Sequence, residues 1–145
     1  MKLTAKARTA VTAMADIAAF GGGAPVPLSD VARRQVLSVS FLEQVFGQLR
    51  RAGLVESRRG AKGGYVLTCD PAEVSLAAVV AAVDQTVRTT ACQPGTTCTG
   101  GAARCLTHGL WRELDGHIEG FLASKTLAEI AGTATMSKVA EGARA

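Results

Sequence analysis

The 145-residue sequence lacks any segment that would carry it into or across a membrane. Its first residues, Met-Lys-Leu-Thr-Ala-Lys, are not followed by the apolar stretch of a secretion signal. No apolar run approaches the ~20 residues that span a bilayer. We therefore expect a cytoplasmic protein, with no membrane partner, whose cysteines are kept reduced. Reduced cysteines favour metal chemistry over a disulfide framework.

Signatures of catalysis are missing as well. The four cysteines include no Cys-x2-Cys pair of the kind that thiol oxidoreductases use. No set of nucleophile, base and acid points to an enzyme, and we expect none. Internal repeats and low-complexity segments are also absent, and the length suits one ordinary domain or a small domain with an appended element.

Basic residues are concentrated in the first half of the chain. Residues 1–70 hold ten Lys and Arg against five Asp and Glu, whereas residues 71–145 hold six against seven. The basic half is the candidate face for nucleic acid. The alternative is a solvated surface with scattered basic residues.

Capping and spacing signals predict two helices at the start of the chain. Thr4 can cap the first helix, and the glycines at 21–23 end it. A second helix of about two turns begins near Leu28, and residues 35–39 break the chain after it.

A third helix is predicted from the S-x-x-E pattern of Ser40 and Glu43, a capping box in which each side chain bonds the other residue's backbone N–H. Gly53 ends this helix. Its core-facing side is predicted to carry Leu42, Val45, Phe46 and Leu49.

Two β-prone runs follow, at residues 54–59 and 65–68, and a basic, glycine-rich tip joins them. Helix, short helix, break, helix and hairpin predict a mainly α fold with a small β-hairpin, a winged helix-turn-helix. In such folds the second helix of the motif enters the major groove, and the hairpin, or wing, reaches the backbone or the minor groove.

The residues predicted to contact DNA are Ser38, Ser40, Glu43, Gln44, Arg58, Arg59, Gly60 and Lys62. The first four lie where side chains at a helix start meet base edges or phosphates, and Gln pairs naturally with adenine. Glu43 could accept from cytosine, although its capping role is an equal explanation. The basic side chains would neutralise phosphates, and the glycines at 60 and 63 would let the backbone approach closely. The alternative is a plain surface turn with charges for solubility.

A cluster of three thiols and an imidazole follows, formed by Cys92, Cys98, Cys105 and His108. The spacing C-x5-C-x6-C-x2-H fits poorly to the short Cys-x2-Cys elements of structural zinc sites. Glycine-rich loops of this length suit an iron–sulfur cluster, whereas zinc and free or disulfide-linked thiols remain alternatives. We expect the remaining thiol, Cys69, to be a small buried side chain.

Beyond this cluster, apolar residues recur at the spacing of a helix seam: Trp111, Leu114, Ile118 and Phe121. The simplest partner for this seam is the same helix of a second copy of the chain, which would give a two-fold dimer. The alternative is packing onto the chain's own domain. We expect His117 to be a polar flank of the seam, and Thr126 with Glu129 to form a capping box.

These motifs make the chain similar to the IscR-type regulators, a family of bacterial winged-helix transcription factors that sense iron–sulfur clusters. The resemblance covers residues 1 to about 131 and rests on several specific segments. They are Leu3-Thr4-Ala5-Lys6, Ala10 to Met14, Pro25 to Leu28, Leu42-Glu43-Gln44, Arg59-Gly60 to Gly63-Gly64-Tyr65, Ala82-Val83-Asp84 and Cys105-Leu106-Thr107-His108 with Leu110-Trp111-Arg112.

The resemblance implies a homodimer with one 2Fe-2S cluster per subunit, ligated by Cys92, Cys98, Cys105 and His108. It implies a repressor of iron–sulfur biogenesis genes that binds double-stranded DNA at a two-fold operator, with cluster-assembly proteins as candidate partners. One extra residue separates Cys98 from Cys105 compared with the usual pattern. A regulator with structural zinc is an alternative, as is a nitric-oxide- or redox-sensing regulator of the same family. The nitric-oxide-sensing branch resembles this chain less, because it has an acidic ligand where this chain has Arg8.

The expected organisation has three parts. Residues 1–70 form the DNA-binding domain, residues 71–131 carry the cluster loop and the dimerisation helix, and residues 132–145 are an unstructured tail.

Overall fold

Helices dominate the computed structural model, which describes residues 3–84 and 105–133. The elements in chain order are α1 (Ala5–Phe20), α2 (Leu28–Gln35), α3 (Val39–Arg51), β1 (Val55–Arg58), β2 (Gly64–Leu67), a 3-10 turn (Pro71–Glu73), α4 (Leu76–Val83) and α5 (His108–Ser124). Residues 127–133 are also helical. The first three helices and the hairpin confirm the predicted winged helix-turn-helix.

The start of α1 and the core side of α3 follow the sequence signals. The hydroxyl of Thr4 accepts a hydrogen bond from the backbone N–H of Ala7 at 3.1 Å. On α3 the buried residues are the four predicted ones: Leu42, Val45, Phe46 and Leu49. These side chains pack with small residues of α1, including Ala10 and Ala13, which let the helices approach closely.

The predicted capping box of α3 is wrong. The helix is capped two residues earlier, by Ser38, whose hydroxyl accepts from the N–H of Phe41 at 3.3 Å. Ser40 therefore lies inside the first turn, and Glu43 is too far along the helix to bond the capping residue. Both Ser38 and Ser40 precede apolar residues, so the pattern alone chose the wrong serine.

The hairpin pairs β1 with β2 in an antiparallel register in which Ser57 faces Tyr65. Tyr65 also exchanges two backbone hydrogen bonds with Val26, at 2.9 and 3.0 Å, on the other side of β2. Gly64 permits this contact, because a Cβ at that position would overlap the backbone of Val26. The ring of Tyr65 then lies 4.9 Å from that of Phe46, which ties the wing to α3.

The end of α5 returns to the start of α4. The backbone N–H of Leu76 donates to Lys125, and that of Leu127 donates to Val74, at 2.9 and 3.0 Å. Leu127 is fully buried in the same core as α1 and α3. The capping box of Thr126 and Glu129 is confirmed, with the Thr126 N–H 2.9 Å from the Glu129 carboxylate.

Cys69 contradicts its prediction, since it is exposed rather than buried. It follows the last paired residue of β2, where the chain leaves the core toward the 3-10 turn. A further result is that no helix within residues 3–84 and 105–133 is long and apolar enough to cross a membrane.

Candidate nucleic-acid interface and metal-ligand cluster

The start of α3 presents polar side chains to solvent. Ser38, Ser40, Glu43 and Gln44 are all exposed, although the hydroxyl of Ser38 is engaged as the helix cap. Since Glu43 has no capping role, its predicted contact with a base edge is the simpler of its two interpretations. Base contacts by these four residues remain predictions.

The wing tip carries the predicted basic side chains on a turn shaped by glycine. Arg59, Gly60 and Lys62 are exposed. Gly60 has a φ of 115°, a conformation that favours glycine, and a Cβ on Gly63 would overlap the carbonyl of Arg58. The hairpin itself therefore requires both glycines, whether or not the backbone approaches DNA.

Arg58 differs from Arg59 in its surroundings. Its guanidinium lies 3.2 Å from the carboxylate of Glu56, and both side chains are about half exposed. The positive charge of Arg58 is thus partly offset within the hairpin, and Arg59 is the stronger candidate for a phosphate contact.

Two basic residues escaped the sequence prediction. Arg50 and Arg51 are exposed in the last turn of α3, and Arg50 lines a shallow cleft with Arg58 on β1. Their signal is visible in the sequence as a basic pair that only Ala52 separates from Gly53. The same pair is equally well explained by the favourable interaction of positive charges with the C-terminal end of the helix dipole.

The predicted metal ligands are only half described. Cys92 and Cys98 lie outside the described residues. Cys105 is a half-buried free thiol immediately before α5, and the N–H of His108 donates to its carbonyl at 3.1 Å. Within residues 3–84 and 105–133 there is no group of three potential metal ligands.

This described half of the ligand set fits an iron–sulfur cluster, because a soft sulfur donor and an imidazole lie three residues apart across the turn that leads into α5. His117, by contrast, is 77% exposed further along α5 and faces Glu113 at 3.9 Å. This exposure suits a polar flank, and the role of His117 beside the seam remains a prediction.

Thr107 precedes α5 at the capping position, yet its side chain makes no capping hydrogen bond. Its hydroxyl instead accepts from the indole N–H of Trp111 at 3.1 Å and lies 3.9 Å from the sulfur of Cys105. The sequence offered no signal for this arrangement beyond the four-residue spacing of Thr107 and Trp111.

One side of α5 is apolar and exposed. Leu110, Leu114 and Phe121 lie within about 40° of one another around the helix axis and are 58%, 36% and 60% exposed. We call these three residues the α5 stripe. Trp111, 37% exposed, borders it, and Leu122, about 20° from Trp111 around the helix axis, packs against the chain's own core. Of the four predicted seam residues, Trp111, Leu114 and Phe121 are exposed and Ile118 is half-buried, so the chain's own domain covers the seam only in part.

A helix-turn-helix with a basic, glycine-tipped wing and an appended helix that starts beside a cysteine and a histidine defines a winged-helix transcription regulator. The sequence model of the Rrf2 family, described as iron-dependent transcriptional regulators, matches residues 3–133, and the chain belongs to this family.

Relatives support the same assignment. The HTH-type transcriptional regulator IscR of Serratia proteamaculans is 50% identical over 141 residues, which cover 97% of this chain and 85% of that protein. The regulator of the same name from Vibrio vulnificus is 52% identical over 130 residues, covering 90% and 77%.

Among solved structures, T. potens IscR has a TM-score of 0.76 at 33% identity and covers 92% of this chain and 88% of its own. CymR, the global cysteine regulator of B. subtilis, has a TM-score of 0.79 at 28% identity and covers 92% and 98%. The backbones of both regulators match the backbone of this chain about equally well. The fold therefore does not show which of the two this chain resembles in function, and only the side chains can distinguish them.

Proposed function

We propose that this regulator is a homodimer that senses one 2Fe-2S cluster per subunit and represses genes for iron–sulfur cluster biogenesis. The ligands in this proposal are Cys92, Cys98, Cys105 and His108. Support comes from the ligand spacing, from the half-exposed pair at the start of α5, and from about 50% identity to regulators named IscR.

The ligand chemistry suits a sensor. Three thiolates and one neutral imidazole would leave a bound cluster one unit less negative than four thiolates would, and His108 would be the ligand most sensitive to acid because a protonated imidazole cannot bind a metal. When bound, such a cluster supplies one-electron redox chemistry. His108 is therefore the ligand that makes retention of the cluster conditional.

The observation that carries the proposal is the placement of α5 between ligands and DNA-binding core. Its first residue is His108, and its far end is held by hydrogen bonds from Leu76 to Lys125 and from Leu127 to Val74. The helix has 17 residues and so measures about 25 Å. A change of ligation at the His108 end of α5 can therefore tilt the helix relative to its other end. There Leu127 is part of the core that supports α3.

The α5 stripe supplies the dimer contact in this proposal. A regulator with two-fold symmetry presents two α3 helices to DNA. The three exposed apolar residues of the α5 stripe, on a long helix, suit an isologous contact with the same stripe of a second copy. The stripe also begins close to the ligand pair, so that ligation and dimer geometry are coupled.

The test begins with protein purified without oxygen, whose visible absorption, iron and acid-labile sulfide are measured. We expect iron and sulfide in equal amounts, two of each per subunit. Zinc without sulfide would contradict the proposal and establish a structural metal site instead.

The ligand assignment is tested with His108→Cys, and with His117→Ala as a control on the same helix. His108→Cys adds a negative charge, so it should lower the reduction potential and make cluster retention less dependent on pH in the range where imidazole titrates. His117→Ala should change neither. If His108→Cys matches the unmodified protein in both quantities, the fourth ligand is another residue.

A further inference from the structure

A buried carboxylate links α1 to the end of α2. Asp16 is 2% exposed, and both of its oxygens accept hydrogen bonds from Arg34: Oδ1 lies 2.6 Å from Nη2, and Oδ2 lies 3.0 Å from Nε. The side-chain amide of Gln35 donates to Oδ2 at 2.7 Å. The guanidinium of Arg34 also lies over the ring of Phe20, 5.1 Å from its centre. We call Asp16, Arg34 and Gln35 the α1–α2 clamp.

The clamp lies at the point where the chain turns toward DNA. Arg34 and Gln35 are the last two residues of α2, Val36 follows in the left-handed conformation, and Ser38 already caps α3. The direction in which α2 ends therefore determines where the exposed first turn of α3 begins.

Stability alone is a weak reason for this arrangement. The Asp16 carboxylate is fully buried and the ion pair must offset its lost hydration, whereas the Arg34 side chain is 23% exposed. Apolar residues of similar size often serve stability as well as or better than a buried charge and its partner. The planar fork of Arg34 on two carboxylate oxygens does fix direction, because both hydrogen bonds are lost when the helix rotates or slides. The hydrogen bond to Asp16 raises the pKa of Arg34.

We propose that the α1–α2 clamp is a positioning group for sequence recognition: it sets the angle at which α3 meets the major groove. It contributes to the discrimination between DNA sequences more than to general affinity for DNA. Phosphate contacts from the wing supply the general affinity and do not depend on the clamp.

The experiment uses two duplexes of equal length, one enriched by the unmodified protein from a random pool and one unselected. The double variant Asp16→Leu/Arg34→Met removes the charges together and keeps the volume. We expect it to stay folded and to bind the unselected duplex normally. The ratio of its affinity for the enriched duplex to its affinity for the unselected duplex should fall about tenfold, which is the discrimination that one base contact provides.

A matched pair of single variants gives a second measurement. Arg34→Lys keeps the charge but loses the planar fork, and Arg33→Lys makes the same change in a surface pair with Asp30, where the arginine side chain is 75% exposed. Arg34→Lys should lower the affinity ratio and Arg33→Lys should not. A normal ratio in folded Arg34→Lys or in the double variant would overturn the proposal and leave the clamp a structural ion pair.

A second inference, which rests on the proposed function, concerns Thr107. Its hydroxyl has one proton, and because the oxygen accepts from the Trp111 indole, that proton is available to the sulfur of Cys105. The missing capping bond shows that the side chain does not serve the helix start. We infer that Thr107 donates a hydrogen bond to the ligand sulfur and thereby raises the reduction potential of the cluster site.

Thr107→Val keeps the shape and removes the donor, whereas Thr107→Ser keeps the donor. With anaerobically purified protein, Thr107→Val should lower the reduction potential and Thr107→Ser should restore it, with equal iron and sulfide contents in both. A potential unchanged in loaded Thr107→Val would refute this inference alone. Absence of iron and sulfide from the unmodified protein would refute both this inference and the proposed function.

Discussion

At the scale of single residues, Val36 is the clearest departure from what its sequence favours. Its φ of 56° lies in the left-handed region, which a β-branched side chain adopts at a cost, and its side chain is 89% exposed. We expect Val36→Gly to stabilise the protein by ~1 kcal/mol, because relief of this strain exceeds the extra entropy that glycine loses on folding. Val36→Ala should gain less, and urea unfolding measures both. A destabilised glycine variant would contradict this.

Glu43 and Glu129 show what a capping motif can and cannot predict. Both occur in an S/T-x-x-E pattern, but only Glu129 bonds the backbone of its cap residue. Glu129→Ala should therefore cost ~1 kcal/mol of unfolding free energy. Glu43→Ala should stay within about 0.5 kcal/mol and relax the preference for cytosine at one base position. Equal losses of unfolding free energy in Glu129→Ala and Glu43→Ala would contradict the cap at Ser38 and support the capping box of Ser40 and Glu43.

At the scale of elements, most of the fold followed from local signals, and the errors arose where tertiary contacts decide. Helix periodicity gave the core side of α3, and alternating β-prone residues gave the hairpin. Neither signal could show that Val26 pairs with Tyr65, or that Lys125 meets Leu76, since these partners are distant in sequence. The exposure of Cys69 was missed for a related reason, because residue type alone does not say where a strand leaves the core.

The wing offers a prediction that separates neighbouring arginines. Arg59→Ala should weaken binding to every DNA sequence and reduce the slope of log affinity against log salt by ~1, the effect of one lost phosphate contact. Arg58→Ala should change the slope less, because Glu56 already lies 3.2 Å from its guanidinium. The measurement is affinity for one duplex over a range of salt. A change confined to one base position would make Arg59 a base-reading residue instead.

At the scale of the whole molecule, one core joins α3 to the far end of α5, the helix that begins at His108. Leu127 belongs to the same buried cluster as Phe46, while His108 and the α5 stripe lie outside it. The ligand set predicted from spacing and the dimer seam predicted from periodicity both remain predictions. The sequence could not indicate the clamp, because Asp16 and Arg34 are 18 residues apart and each looks like an ordinary surface charge.

The proposed dimer is the feature on which we expect DNA recognition by the whole molecule to depend. Phe121→Glu places a charge in the α5 stripe and should convert the protein to monomers, because a second copy can no longer cover the seam. Operator binding should fall far more than the ~1 order of magnitude that a single contact supplies, since the two half-sites, spaced by about one helical turn or a multiple, are no longer bound together.

Ala123→Glu adds the same charge about 200° away around the helix, and it should leave both the oligomeric state and operator binding unchanged. Analytical ultracentrifugation and footprinting measure them. A monomeric Phe121→Glu variant that still protects a single half-site at full affinity would show that the dimer is not required for recognition.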